Sequence, residues 1–195
     1  MKKNKAILIF ISLFAIVAIY FSFIFLIKSC NSFQYEIGNT VKEYEEFKGR
    51  VLHSDKYMPN NDQLINVDEF KTSYAKHFKP LELWSITESV TLTCSFVNNE
   101  DYCAAKNELF SSYVFLNEQN DILRDVSAIC YGYDVRVVDE SSFSISDNSY
   151  WYPHCFLMIG FDDKSCKFIY MFHYDSEIDY IDNLDNFINE NYYLK

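Results

Sequence analysis

The sequence predicts an α+β protein, with an N-terminal transmembrane helix followed by a domain in which an antiparallel β-sheet packs against helices. Three observations support this class. A long uncharged run opens the chain, alternating apolar residues fill its middle, and helical periodicity occurs on both sides of that middle part. The order of helices, several strands and a closing helix is typical of α+β domains, and we expect helices to cover one side of the sheet.

The first 30 residues predict a signal anchor. Residues 6–27 carry no charge, and three lysines stand among the five residues before them. At about 1.5 Å per residue, such a helix spans roughly 33 Å, enough for the hydrocarbon core of a bilayer. Since positive residues stay in the cytoplasm, the sequence predicts a single-pass protein of the inner (cytoplasmic) membrane whose C-terminal domain, 31–195, is periplasmic.

Two alternatives to an uncleaved anchor stay open. The segment 27–30 resembles a bacterial lipobox, in which Cys30 would be lipidated and become the mature N-terminus, although the charge of Lys28 does not suit that motif. In the second alternative, the N-terminal segment is a signal peptide that is cleaved. The apolar run of a signal peptide is usually shorter than residues 6–27. All three interpretations predict that the remaining domain lies outside the cytoplasm.

The domain formed by residues 31–195 is strongly acidic. It holds all 28 acidic residues and 13 of the 17 basic ones, which gives a net charge of −15. Nucleic acids and anionic membrane surfaces require basic patches, so this balance argues against both as partners of the domain. It favours a basic protein partner, and the expected contact with the membrane is through residues 6–27.

Helices are predicted on both sides of the strands. The spacing of Val41, Tyr44 and Phe47 predicts a first helix, which opens with a capping box at Thr40 and stops at Gly49. A second helix, closed by Pro80, is predicted from the apolar residues Val67, Phe70, Tyr74 and Phe78. A closing helix that begins after Ser176 is predicted from the stripe Ile178, Ile181, Leu184, Ile188 and Tyr192.

The middle of the chain predicts the sheet. Apolar and polar residues alternate over 83–96, which predicts a strand with one solvated face, and they alternate again over 129–137. The largely apolar runs 155–161 and 166–174 predict a hairpin at the centre of the sheet. Residues 102–110 fit either a helix or a strand.

Five cysteines belong to the acidic domain, and outside the cytoplasm cysteines tend to pair. Cys94 and Cys103 flank a short turn-like stretch, so we predict a disulfide between them. Cys155 and Cys166 start the two strands of the predicted hairpin, and a rise of about 3.3 Å per residue holds them roughly 20 Å apart. We therefore predict that Cys130 pairs with one of these two and that the other is free.

One group of residues is a candidate for catalysis or metal binding. His154 and Cys155 open the predicted hairpin and His173 closes it, so the two histidines are expected to be neighbours. A cysteine activated by a histidine is a known nucleophile, and histidine together with a carboxylate can hold zinc. One cysteine and two histidines can also occur in the same hairpin by chance. The prediction is therefore a structural role, with no enzyme activity, no metal and no cofactor.

An aromatic run formed by Tyr150, Trp151 and Tyr152 follows a polar stretch and is expected in a loop. Aromatic side chains in loops often anchor protein interfaces, although they also pack into cores. With the acidic charge, this run predicts an anchored protein-binding module. Its most concrete form is an immunity-type protein that neutralises a toxic effector in a bacterial envelope. The alternatives are an accessory subunit of an envelope complex and a Cys/His envelope hydrolase.

Overall fold

The computed structural model describes residues 14, 16–25, 32–64, 67–79, 85–119, 123–143, 155–176 and 181–192. Residues 16–25 are helical. Across these described residues, no helix is both long enough and apolar enough to cross a bilayer. Residues 6–13, 15, 26 and 27 of the predicted span lie outside the described residues, as does Cys30.

Within the described residues, seven strands form one antiparallel sheet, in the spatial order β1-β2-β3-β7-β6-β5-β4. In chain order the strands are β1 (Ser32–Gly38), β2 (Glu69–Lys79), β3 (Ser85–Ser95), β4 (Ser127–Cys130), β5 (Tyr133–Val137), β6 (Cys155–Asp162) and β7 (Lys167–Asp175). The predicted hairpin of β6 and β7 does lie in the middle of the sheet. The predicted α+β class, with an antiparallel sheet and helices, is confirmed.

Besides the helical residues 16–25, the described part of the chain has four α-helices: α1 (Val41–Arg50), α2 (Ser54–Tyr57), α3 (Asn99–Ser112) and α4 (Leu184–Asn191). The predicted capping box of α1 is present, because the Glu43 amide donates to Thr40 Oγ1 across 3.2 Å and the Thr40 amide donates to Glu43 Oε2 across 3.0 Å. The helix ends at Arg50, one residue beyond the predicted stop at Gly49.

Apolar clusters cover both faces of the sheet, which corrects the expectation of a single covered side. On one face, Leu92 and Phe172 pack beneath the helices α1, α2 and α3. On the other face, Met158 and Met171 pack with residues of α4. Strands β6 and β7 are buried on both faces, and a strand with two buried faces needs the nearly continuous apolar sequence that they carry.

The prediction of a second helix over 67–78 is wrong, because residues 69–79 form the strand β2. Phe70, Tyr74 and Phe78 recur every fourth residue, and that spacing places side chains on one face of a strand as well as on one side of a helix. Pairing with β3 over its whole length decides between them, with Tyr74 opposite Val90. The backbone hydrogen bonds of the sheet therefore outweigh the local pattern.

The polar face of β3 is occluded rather than solvated. Ser89 and Thr91 are 4% and 5% exposed. Thr91 shares a hydrogen bond of 2.7 Å with the Ser73 hydroxyl on β2. The alternation predicted the strand correctly, but hydroxyl pairs let this polar face be buried, which a sequence pattern does not reveal.

Two further element boundaries differ from the prediction. The alternating stretch at 129–137 is a hairpin of β4 and β5, because Tyr131 and Gly132 form its turn with φ values of 50° and 88°. The closing helix begins at Leu184, capped by Asn183, whose Oδ1 accepts from the Asn186 amide across 2.8 Å. Its predicted stripe is buried at Ile181, Leu184, Ile188 and Tyr192, while Ile178 lies outside the described residues.

The ambiguous stretch is helical. Asn98 caps α3 by accepting from the Asp101 amide across 2.8 Å, and this cap precedes the residues that fitted both periods. Only Tyr102 and Leu109 of the helix are buried. Because so few residues of this helix are buried, the apolar periodicity of its sequence is weak. The N-cap at Asn98 indicates the helix more clearly.

Candidate functional site

The structure separates the residues of the predicted Cys/His group. In the register of β6 and β7, Cys155 lies opposite Tyr174 and Phe156 lies opposite His173. Opposed residues share a face and consecutive residues alternate, so Cys155 and His173 point to opposite sides of the sheet. His154 lies outside the described residues. Cys155 and His173 therefore cannot act together as a nucleophile and its base.

Cys155 is a buried thiol. It is fully buried, and its Sγ donates to the Tyr57 hydroxyl across 3.4 Å. Burial raises the pKa of this thiol, and it likewise raises the pKa of the Tyr57 hydroxyl. A reactive cysteine needs a lowered pKa to be a thiolate at neutral pH, so the environment of Cys155 works against nucleophilic chemistry.

His173 is enclosed by aromatic rings. It is fully buried, with ring centroids of Phe187 at 4.6 Å, Phe156 at 5.5 Å and Tyr192 at 6.2 Å. Burial lowers its pKa to about 3, so the ring is neutral at physiological pH. Within the described part of the chain, no group of three or more metal-ligating side chains comes together. In this environment His173 acts as a packing residue.

The predicted disulfide between Cys94 and Cys103 is not formed. Cys94 is a free thiol, fully buried on β3, and Cys103 is a free thiol exposed on α3. The residues of α3 that pack over the cluster containing Cys94 are Tyr102, Ala105 and Leu109. Helical geometry turns Cys103 away from that stripe, which explains why neighbours in sequence do not pair.

The predicted pairing of Cys130 is also wrong. Cys130 is a free thiol buried in the cluster that includes Met158 and α4. Cys155 and Cys166 belong to the cluster on the opposite face. The sheet therefore stands between Cys130 and both predicted partners, at a distance that a disulfide cannot span.

The predicted interface residues Tyr150, Trp151 and Tyr152 lie outside the described residues. The structure instead shows an open cleft of about 620 Å³, where the end of β1, the start of α1 and the start of β2 meet. The cleft is lined by Ile37, Gly38, Asn39, Glu43, Asp68, Glu69, Phe70 and Lys71. It combines three carboxylates with one lysine and two apolar side chains, and we call it the acidic cleft.

Two carboxylates of the acidic cleft are held in place by hydrogen bonds. Glu43 accepts from the Thr40 hydroxyl across 2.7 Å and from the Asn39 amide across 3.0 Å. These bonds, with that of Thr40 the strongest cause, lower the pKa of Glu43. Asp68 accepts from the Val97 amide across 2.6 Å. Fixed carboxylates keep their negative charge at a constant position, which favours a cationic ligand.

Gly38 allows α1 to approach the end of β1 at the acidic cleft. A Cβ atom at this position would lie 2.6 Å from Glu43 Cβ and 3.0 Å from Thr72 Cγ2. The missing side chain therefore brings the first turn of α1 against the strand. The sequence did not indicate this site, because its carboxylates come from segments about 25 residues apart and only the sheet register joins them.

No protein-family model matches the chain, and searches of curated proteins and of solved structures also find no match.

Proposed function

We propose that this chain is a membrane-anchored, extracytoplasmic protein-binding module, most concretely an immunity-type protein that neutralises a toxic effector in a bacterial envelope. Residues 6–27 are the proposed anchor in the cytoplasmic membrane, with residues 31–195 on the periplasmic side. Lipidation at Cys30 is the alternative form of anchoring. The proposed activity is binding and not catalysis.

The observation that carries the proposal is the acidic cleft. Glu43, Asp68 and Glu69 line it, and Lys71 is the only cation among the described residues that line it. Ile37, which is 53% exposed, adds an apolar wall. A lysine or arginine of a partner fits such a site, because its aliphatic part covers the apolar wall and its charged end meets the carboxylates.

The net charge of residues 31–195 supports the same kind of partner. A charge of −15 on this part of the chain attracts a basic protein over distances of about 10 Å at moderate salt. Such attraction accelerates association, which suits a protein that must capture a toxic effector before it acts.

The test of binding uses the full-length protein in detergent, immobilised and exposed to secreted and envelope proteins at low and at high salt. We expect a basic protein to be retained at low salt and released at high salt. Replacing Glu69 by Lys should weaken that retention at least about tenfold, because it reverses one charge in the cleft. Capture that does not depend on salt or on Glu69 would overturn the cleft as the binding site.

The matched control is Glu190→Lys. Glu190 is exposed on α4, and α4 contacts β4 at the edge of the sheet opposite to β1. The substitution changes the net charge by the same amount without touching the cleft. Retention of the basic protein by this variant should stay close to that by the unmodified protein. The comparison distinguishes the effect of a charge in the cleft from the effect of the net charge.

The location is tested separately by protease protection. A protease added to cells with a permeabilised outer membrane should degrade residues 31–195 and leave a tag at the N-terminus protected. Protection of the domain would overturn the extracytoplasmic location. Exchanging the anchor for an unrelated one should preserve the binding, whereas an accessory subunit that uses the anchor for contacts would lose its role.

A further inference from the structure

Two thiols that are far apart in the sequence share one hydrogen-bond acceptor. Cys103 Sγ and Cys166 Sγ each donate to Asn99 Oδ1 across 3.7 Å. Two atoms that lie at the same distance from a third can be no farther apart than twice that distance. The two sulfur atoms are therefore neighbours in the fold, and rotation about the two Cα–Cβ bonds changes the distance between them.

The backbone segments that carry these thiols are joined. Asn99 and Cys103 lie one turn apart on the same side of α3, facing Cys166 in the β6–β7 turn. The Cys166 carbonyl accepts from the Phe96 amide across 3.0 Å, which ties the turn to the chain just before α3. Cys166 has a φ of 49°, and this left-handed conformation belongs to the tight turn.

A second set of contacts holds the same turn to the same helix. Asp163 accepts from the Tyr102 hydroxyl and from Lys106 Nζ, each across 2.5 Å. These bonds, with that of Lys106 the strongest cause, lower the pKa of Asp163. Helix α3 and the β6–β7 turn are thus docked independently of the cysteines, so the thiols are positioned before any bond forms.

We propose that Cys103 and Cys166 form a disulfide that fastens α3 to the β6–β7 turn in an oxidising compartment. The proposal rests on the extracytoplasmic location. The oxidant is the disulfide of a thiol oxidoreductase or of oxidised glutathione. One thiolate attacks that disulfide and releases one sulfur as a thiol. The second thiolate then displaces the other sulfur, so one S–S bond is exchanged for another, and the two protons and two electrons reside on the reduced oxidant.

The other described cysteines lack this arrangement. Cys94, Cys130 and Cys155 are buried in the core, and Cys130 is separated from the other two by the sheet. Cys103 is exposed and Cys166 is partly exposed, so an oxidant reaches them in the folded protein. The bond would enclose a loop of about 60 residues. It would lower the conformational entropy of the unfolded chain and so stabilise the folded state.

The experiment begins with full-length protein isolated in detergent after free thiols in the cells are blocked with N-ethylmaleimide. Digestion without reductant, followed by mass spectrometry, should show a peptide pair linked through Cys103 and Cys166. In parallel, reduced purified protein is incubated with oxidised glutathione. The same linked pair should form there, without any other disulfide.

The cellular arm and the purified-protein arm test the disulfide and the extracytoplasmic location separately. Failure of the purified protein to form this bond, or formation of a different one, overturns the proposal. A bond that forms with oxidised glutathione while the cellular protein is fully blocked by N-ethylmaleimide supports the pairing and overturns the extracytoplasmic location. A bond in both arms supports both.

Variants provide the second readout. Oxidation should raise the Tm of the unmodified protein by about 5–15 °C, as expected for a loop of this length. Cys103→Ser and Cys166→Ser should each have the Tm of the reduced protein and show no response to oxidant. An unchanged response to oxidant in either variant would overturn the assignment of that cysteine.

Discussion

His173 lies with its ring centroid 6.2 Å from that of Tyr192, and both side chains are buried. Neither ring nitrogen of His173 nor the Tyr192 hydroxyl finds a hydrogen-bond partner in the described part of the chain. Both side chains belong to the packing between the sheet and α4. Burial without hydrogen-bond partners favours the neutral form of a histidine over the charged form. The free energy of unfolding of the domain therefore depends on pH.

The first prediction concerns this histidine. Its pKa of about 3 in the folded protein lies below the value of 6.5 for an unfolded chain, so the unfolded state binds more protons between these values. Stability should therefore fall as pH drops below 6.5, with a slope from this group of up to about 1.4 kcal/mol per pH unit. Denaturant unfolding at a series of pH values from 7 to about 4.5 measures this slope. The range stays above the pH at which most carboxylates titrate.

Two variants separate this effect from packing. His173→Leu should flatten the slope, because it removes the titrating group. Phe156→Leu, at the position opposite His173 in the strand pair, should lower stability at every pH and keep the slope. An unchanged slope in His173→Leu would show that another group dominates the pH dependence.

The second prediction compares two glycines. A Cβ atom at Gly160 on β6 would lie 2.9 Å from Ile169 Cγ2 and 3.0 Å from Tyr133 Cβ, both within the packed sheet. Gly160→Ala should therefore cost about 1–3 kcal/mol of unfolding free energy through overpacking. Gly49→Ala is the control, since nothing lies within 4 Å of its Cβ position on α1, and it should stabilise by about 0.5–1 kcal/mol. Equal effects in thermal unfolding would contradict the packing at Gly160.

The third prediction concerns a buried lysine. The Lys48 side chain is 6% exposed, and its Nζ donates to the Pro59 carbonyl across 3.3 Å and to Asn60 Oδ1 across 3.1 Å. These bonds fasten α1 to the segment after α2. Lys48→Met should cost about 1–3 kcal/mol. Lys42→Met, on the exposed side of the same helix, should stay within about 0.5 kcal/mol of the unmodified protein. Urea unfolding compares the two.

The fourth prediction concerns thiol reactivity in the reduced protein. Iodoacetamide should modify the exposed Cys103 in the folded state, whereas Cys155 should react only as fast as the domain opens, because it is buried and its pKa is raised. Peptide mapping over time gives both rates. A Cys155 that reacts faster than Cys103 would restore the interpretation of this residue as a nucleophile.

Local signals predicted some elements well. The capping box at Thr40 located α1, and the continuous apolar runs located β6 and β7, because each signal depends only on neighbouring residues. The same reasoning failed for β2, whose apolar residues recur every fourth position and fit both periods. Pairing with β3, from residues distant in sequence, decided its conformation.

The candidate sites were less accessible from the sequence. Cys155 and His173 are close in the hairpin, but their register places them on opposite faces. The acidic cleft joins Glu43 to Asp68 and Glu69 because β1 pairs with β2, and no spacing in the sequence indicates that contact.

The sequence by itself determined the class of the fold, the central hairpin and the acidic balance of residues 31–195, because these follow from composition and from periodicity along short segments. Only the tertiary structure decided the face that each side chain occupies and the segments that meet. Cys103 therefore meets Cys166 and not Cys94, since the docking of α3 on the β6–β7 turn is a contact between distant parts of the chain. Sheet register and helix docking are set by packing of the whole domain, and they determine which groups can react or bind together.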